Sequence, residues 1–184
     1  MNKKKISVLG GGSWGTVLAY LASLNGNLVY LWMRDKKVAE EINQKNINKK
    51  YLPHLNLGSN VTATSSMEDI SESDIVIFCV PSDAFREVSQ LSTKFIRESS
   101  YLITATKGVE KEGFKLMSKI LEEHYPANPI GVLSGPNLAE EIASHHLSGT
   151  VIASKDKSLR DCVIADYSTD FRRSVLYPPL PLFG

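Results

Sequence analysis

The chain has 184 residues, 42% of them apolar and 22% charged, and its 21 basic and 20 acidic side chains leave a formal net charge of +1. That length suits one domain of ordinary size. The balanced charge argues against a nucleic-acid scaffold or a polybasic membrane binder, and no stretch approaches the roughly 20 apolar residues of a membrane span.

The basic start Met1-Asn2-Lys3-Lys4-Lys5 is followed by only four apolar-patterned residues, Ile6 to Leu9, before a glycine cluster. That is too short for the core of a signal peptide, so a cytoplasmic protein is expected. Cys79 and Cys162 lie far apart in sequence, without metal-ligand spacing, and Cys79 reads as a buried small residue.

In chain order, Ile6 to Leu9 is the first predicted strand and Trp14 to Leu24 the first helix. Between them, Gly10, Gly12 and Gly15 match G-x-G-x-x-G. Gly10 permits a tight turn, Gly12 lets the backbone approach a pyrophosphate, and Gly15 lets the helix pack closely on the strand. The helix start then offers free N–H groups and a partial positive charge to phosphates. The pattern stands between a strand and a helix, which is the context that makes it a dinucleotide signal.

Asn25-Gly26-Asn27 stops the first helix, and Leu28 to Met33 is a second strand ending at Arg34-Asp35. Lys36 to Asn46 reads as a helix, and Pro53 disfavours helix at Leu52. Val61 to Thr64 is a short strand, and Ser66 to Asp69 starts a short helix. Asp74 to Val80 is a buried strand, followed by a helix over Asp83 to Leu91. Further strands are expected at Tyr101 to Thr104, Ile130 to Leu133 and Gly149 to Ala153. Helices are expected at Phe114 to Tyr125, with Leu116, Ile120 and Leu121 inward, and at Leu138 to Ser144.

This alternation predicts an α/β fold with a doubly wound, mostly parallel sheet. Beyond Ala153, Leu159 to Ile164 has helical character, Phe171-Arg172 begins a strand, and the proline-rich Tyr177 to Gly184 reads as an extended tail.

Several segments agree together: Gly10-Gly11-Gly12-Ser13-Trp14-Gly15-Thr16, Tyr51-Leu52-Pro53, Val80-Pro81-Ser82, Thr106-Lys107-Gly108, and Ser134-Gly135-Pro136-Asn137-Leu138-Ala139-Glu140-Glu141. In order and spacing, roughly over residues 4 to 160, they resemble the bacterial NAD(P)-dependent sn-glycerol-3-phosphate dehydrogenases. The resemblance implies a Rossmann-like N-terminal domain, reduction of dihydroxyacetone phosphate to sn-glycerol 3-phosphate, and a place in glycerophospholipid synthesis. It sets residues 1–160 as the NAD(P)-binding domain. Residues 161–184 are an atypical tail where the family has a helical substrate domain, which is expected to be absent. The family's catalytic lysine lies in a Gly-Ala-Leu-Lys-Asn-like motif that does not occur in this sequence. The chain is therefore expected to bind cofactor, to carry no catalytic residue of its own, and to be inactive alone.

By resemblance, Gly10, Gly12, Ser13, Trp14, Gly15, Arg34, Tyr51, Lys107 and Ala139 contact the cofactor, while Lys107, Gly135 and Asn137 border the substrate. Trp14 reads equally well as a core aromatic. Asp35 stands about 20 residues past Gly15, the offset of a ribose-binding acid, whereas Arg34 suits a 2′-phosphate. NADPH with tolerance for NADH is favoured. Lys107, at a strand end, suits a substrate oxygen or phosphate and charge developing on a carbonyl oxygen. Glu140 and Glu141 read as first-turn acids, and His145 and His146 receive no role. No metal cluster is apparent.

Two other readings remain: a stand-alone NAD(P)-binding module without catalysis, or another dehydrogenase of the same half-domain plan. The partner expected is the small-molecule substrate, with no nucleic acid and no membrane span. A homodimer is carried as an expectation that the sequence does not decide.

Overall fold

Alternating apolar strands and amphipathic helices leave both faces of a sheet to be covered, and the chain covers both. The structure, a computed structural model, describes residues 3–136, 138–146 and 148–167, and 172–177 as backbone. Eight strands lie in the order β3-β2-β1-β4-β5-β6-β7-β8. They are β1 Lys5–Leu9, β2 Leu28–Trp32, β3 Val61–Thr64, β4 Ile75–Phe78, β5 Tyr101–Thr104, β6 Ile130–Ser134, β7 Ser148–Ser154 and β8 Arg172–Tyr177. Pairing from β3 through β6 is parallel throughout.

The helices are α1 Ser13–Leu24, α2 Lys36–Lys45, α3 Ser82–Ser92, α4 Met117–His124, α5 Ala139–Ala143 and α6 Lys157–Tyr167. Side chains alternate across the strands, so Ile75 and Ile77 of β4 join one apolar cluster while Val76 and Phe78 join the other. The first cluster packs under α1, α2, α5 and α6, with Leu18, Ile42, Ile142 and Leu159 fully or nearly fully buried. The second packs under α3 and α4, with Phe85 and Ile120 fully buried. The winding reverses between β1 and β4, which are neighbours in the sheet but distant in sequence. Such a switch point opens a crevice at the carboxyl ends of the strands.

The sheet is mostly parallel, the exception being β7, which runs antiparallel to β6 because only the five-residue α5 separates them and no crossover helix returns the chain. α6 packs on the core and β8 pairs in parallel with β7, at the helical stretch and the strand expected beyond Ala153. Residues 178–184, read as a tail, lie outside the described residues.

The structure departs from the sequence-based expectation at the start of α4. Phe114 to Leu116 are not helical. Gly113 and Phe114 both have positive φ, 88° and 52°, and Val109 bridges Leu116 in a small antiparallel hairpin. Phe114 is 80% exposed, and Leu116, expected inward, is 38% exposed. No described helix is long and apolar enough to cross a membrane.

Candidate functional site

The glycine loop occupies the switch point. Gly10 has φ +129°, and a Cβ there would lie 2.4 Å from the Cys79 carbonyl oxygen at the end of β4. A Cβ on Gly15 would lie 1.8 Å from the Gly10 carbonyl oxygen, so α1 can approach β1 only without a side chain at that position. Gly12 differs from both, since a Cβ there meets nothing within 4 Å. The first two glycines are required by the protein's own packing. The space at the third is open.

Gly12 is the N-cap of α1, with no side-chain cap, and Thr16 N–H donates to its carbonyl at 2.9 Å. The N–H groups of Gly11, Gly12 and Ser13 have no hydrogen-bond partner among the described residues. Free N–H groups at the start of a 12-residue helix are an anion site in waiting.

A cleft of about 720 Å³ opens over this loop. Its floor is Gly10 to Gly15. One wall is the end of β2, Met33 to Asp35, with Lys50 and Tyr51 beyond it. The other wall is built from the ends of β4 and β5, Cys79 to Pro81 and Ala105 to Lys107, closed by Leu138 and Ala139. A second cavity of about 280 Å³ shares Trp14, Ala105, Thr106 and Lys107 and is bounded by Ser134 and Gly135. The two form a larger and a smaller compartment that share Trp14 and Lys107.

Of the eleven sequence-predicted site residues, ten are thus brought around one site. Gly10, Gly12, Ser13, Trp14, Gly15, Arg34, Tyr51, Lys107 and Ala139 line the large cleft, Gly135 lines the small cavity, and Asn137 lies outside the described residues. Trp14 packs against the core cluster and also lines the cleft.

Cations dominate the lining. Arg34, Lys50 and Lys107 face the cleft against Asp35, and none of the three has an ion-pair partner among the described residues. Lys50 Nζ sits 5.3 Å from the centroid of the Tyr51 ring. Asp35 is committed elsewhere, since its Oδ1 accepts from Lys37 N–H at 3.0 Å and from Val38 N–H at 3.3 Å, capping α2. That employment weakens the ribose-binding reading of Asp35 and leaves Arg34 the free charged group at the end of β2.

Thr106 Oγ1 donates to the Val80 carbonyl at 2.8 Å, tying the loop that carries Lys107 to the end of β4. Burial alone pushes the Cys79 thiol up to about 12, so this cleft-lining cysteine is a neutral wall and not a thiolate.

Sequence reasoning gave no role to Lys50 or Asn48. Lys50 had a readable signal, immediately before the Tyr51-Leu52-Pro53 segment. Asn48 had none, because its partners are Gly11 and Thr16, 37 and 32 residues away. His145 and His146 are exposed outside the cleft lining. No group of acidic, histidine and cysteine side chains suited to a metal occurs among the described residues.

The strand order, the glycine loop and the cleft at the switch point define a Rossmann-like dinucleotide-binding domain. The family described as NAD-dependent glycerol-3-phosphate dehydrogenase N-terminus matches residues 5–160. The chain belongs to that family. It is 42% identical over 172 residues to a glycerol-3-phosphate dehydrogenase [NAD(P)+] of Alcanivorax borkumensis, covering 93% of this chain and 50% of that protein. A protein of the same name from Acinetobacter baumannii is 46% identical over 160 residues, covering 86% of this chain and 44% of that one. The crystal structure of glycerol-3-phosphate dehydrogenase from Coxiella burnetii superposes with a TM-score of 0.90 at 27% identity, over 95% of this chain and 54% of that one. The chain spans about half the length of the curated relatives it matches.

Proposed function

We propose that this chain is the cofactor-binding part of an NAD(P)-dependent sn-glycerol-3-phosphate dehydrogenase that reduces dihydroxyacetone phosphate. The observation that carries the reading is the glycine loop, with its unpartnered N–H groups beneath a cation-lined cleft at the switch point. When bound, a reduced nicotinamide dinucleotide supplies the hydride. The N–H groups of Gly11, Gly12 and Ser13 hold its pyrophosphate, and Tyr51 and Ala139 flank it. Arg34 pairs with a 2′-phosphate, which favours NADPH while admitting NADH. Trp14 and Thr106 shape the junction where the nicotinamide meets the small cavity. Lys107 and Gly135 border the substrate there, with the Lys107 ammonium holding a substrate oxygen and countering charge that develops on the carbonyl oxygen, and the family resemblance adds Asn137 to the substrate contacts.

Residues 1–160 form the cofactor-binding unit in this reading, and residues 161–184 stand apart from the family pattern. The protein works in the cytoplasm on a small-molecule substrate, without nucleic acid, and pairs as a homodimer. Reduction also needs a proton donor held with the nicotinamide and the carbonyl carbon, a role that the family resemblance gives to a lysine in a Gly-Ala-Leu-Lys-Asn-like motif that this sequence does not contain. The 184-residue chain therefore binds NADPH without turning over.

Calorimetry with NADPH, followed by NADPH oxidation with dihydroxyacetone phosphate, tests this. Saturable binding with no substrate-dependent oxidation is expected. Failure to bind either dinucleotide overturns the cofactor reading, and robust production of sn-glycerol 3-phosphate overturns the assignment of inactivity.

A further inference from the structure

Three consecutive glycines lose more conformational freedom on ordering than any other tripeptide, so a fixed glycine loop needs an outside clamp. Asn48 supplies one. It is fully buried where the chain leaves α2. Its Nδ2 donates to the Gly11 carbonyl at 3.0 Å and to Thr16 Oγ1 at 2.8 Å. Thr16 Oγ1 in turn donates to the Gly12 carbonyl at 2.7 Å. The carbonyls of residues 11 and 12 are therefore both held from the protein side.

In a planar trans peptide the C=O and the following N–H point in opposite directions, and the described residues contain no cis peptide. Pinning the Gly11 carbonyl aims the Gly12 N–H outward, and pinning the Gly12 carbonyl aims the Ser13 N–H outward. Both donors lack a partner among the described residues, and both residues line the large cleft.

We propose that Asn48, acting through Thr16, is a positioning residue that preorganises the glycine-loop N–H groups for a dinucleotide pyrophosphate. The proposal rests on the cofactor reading above. Its orientation is set by donors alone. Asn48 Oδ1 is buried with no hydrogen-bond partner among the described residues, and flipping the amide would set that oxygen against the Gly11 carbonyl. The Asn48 carbonyl also accepts from Tyr51 N–H at 3.2 Å and Leu52 N–H at 2.8 Å. One residue thus links the floor of the cleft to the wall that carries Tyr51.

The test uses Asn48→Asp, which keeps the shape and removes both donors, together with Thr16→Val and Thr16→Ser. Affinity for ADP-ribose, which carries the pyrophosphate, is compared by calorimetry with affinity for adenosine 2′-monophosphate, which does not. Asn48→Asp and Thr16→Val are each expected to weaken ADP-ribose about tenfold or more and to leave adenosine 2′-monophosphate unchanged. Thr16→Ser retains the hydroxyl and recovers most of what Thr16→Val loses. The double variant loses less than the two single losses combined, because both break one relay. If Asn48→Asp does not fold, the Thr16 pair gives the same readout.

Equal losses for both ligands, or undiminished ADP-ribose binding by a folded Asn48→Asp variant, overturn the proposal while leaving the cofactor reading standing. No ADP-ribose binding by the wild-type chain overturns the cofactor reading, and the proposal with it.

Discussion

The two rims of the sheet use the same kinds of groups to opposite ends. At the amino ends of the strands, polar groups are largely paired inside the chain. Lys4 Nζ donates to Asp166 Oδ2 at 2.7 Å, Asn27 Nδ2 donates to Asp166 Oδ1 at 3.2 Å, and Lys4 N–H donates to Asn27 Oδ1 at 3.1 Å. Nearby, Asp74 accepts from Lys5 N–H at 2.9 Å and from Arg97, while Ser100 and Asn128 tie down neighbouring carbonyls. At the carboxyl ends, Arg34, Lys50 and Lys107 have no ion-pair partner among the described residues, and three loop N–H groups are free. Pairing locks the last helix onto the first strands. The groups left unpaired at the other rim make that end able to bind an anion.

The sharpest way to break this contrast is within the glycine loop itself. A side chain at residue 15 collides with the Gly10 backbone, whereas one at residue 12 enters open space. Gly15→Ala is expected to destabilise the fold by about 1–3 kcal/mol or more, as overpacking does. Gly12→Val is expected to fold like wild type and yet to lose NADPH binding. Thermal unfolding and calorimetry on the two variants check this, and a folded Gly12→Val that binds normally would place the pyrophosphate elsewhere.

Asp166→Ala attacks the closed rim. Asp166 is 4% exposed and is the shared acceptor of Lys4 and Asn27. A loss of about 1–3 kcal/mol is expected, at the scale of an unsatisfied polar group, because partial exposure of Lys4 screens its charge. Partial burial is the largest single influence and pulls the Lys4 ammonium down, but the hydrogen bond and charge of Asp166 together with those of Cys162 raise it by more and leave it above its ordinary 10.5. The contribution is thus complete at neutral pH and fades only as pH rises through the raised value. Denaturant unfolding at pH 7 and above 10.5 should show the wild type approaching the variant, with cofactor affinity unaffected.

At the open rim, Arg34→Ala is expected to cost NADPH about 1.5–3 kcal/mol, the range for a hydrogen bond to a charged group, and to cost NADH little. Equal losses for the two dinucleotides would give Arg34 a part common to both.

The smallest effect lies beside the open rim, at the hairpin after Lys107. Arg86 joins Glu110 and Glu123, and Lys115 joins Glu123 at 2.5 Å. Hydrogen bonds from Lys115 and Arg86 hold the Glu123 carboxyl down to about 2 from an ordinary 4.5, and Arg86 lowers Glu110 as well. A carboxylate lowered in the folded state stabilises above its ordinary value and loses that contribution as pH falls through the lowered one. Hydrogen exchange, corrected for intrinsic rates, should show the Glu110–Lys115 backbone bond losing protection as pH falls from 4.5 towards 2, while the core strands hold.

The elements and their order were legible in the sequence because they rest on local signals: apolar runs, helix stops and the glycine spacing. Arg34 and Lys107 could be placed at the ligand rim on the same grounds, since residues just past a strand in a parallel sheet stand at its carboxyl edge. What the sequence did not determine depends on partners far along the chain. The Lys4–Asp166 pair spans 162 residues, and the Asn48 clamp reaches back 37 residues to Gly11. The hairpin at Gly113 and Phe114 displaced an expected helical turn, because two positive φ values outweigh the helical spacing of the apolar residues. The antiparallel entry of β7 followed from how little chain α5 offers for a crossover, whereas the 11-residue α6 returns the chain so that β8 pairs in parallel. Local propensity thus set the parts of this protein. Only the tertiary structure decided which polar groups were paired off and which were left open, because pairing depends on distances in space that sequence separation does not carry.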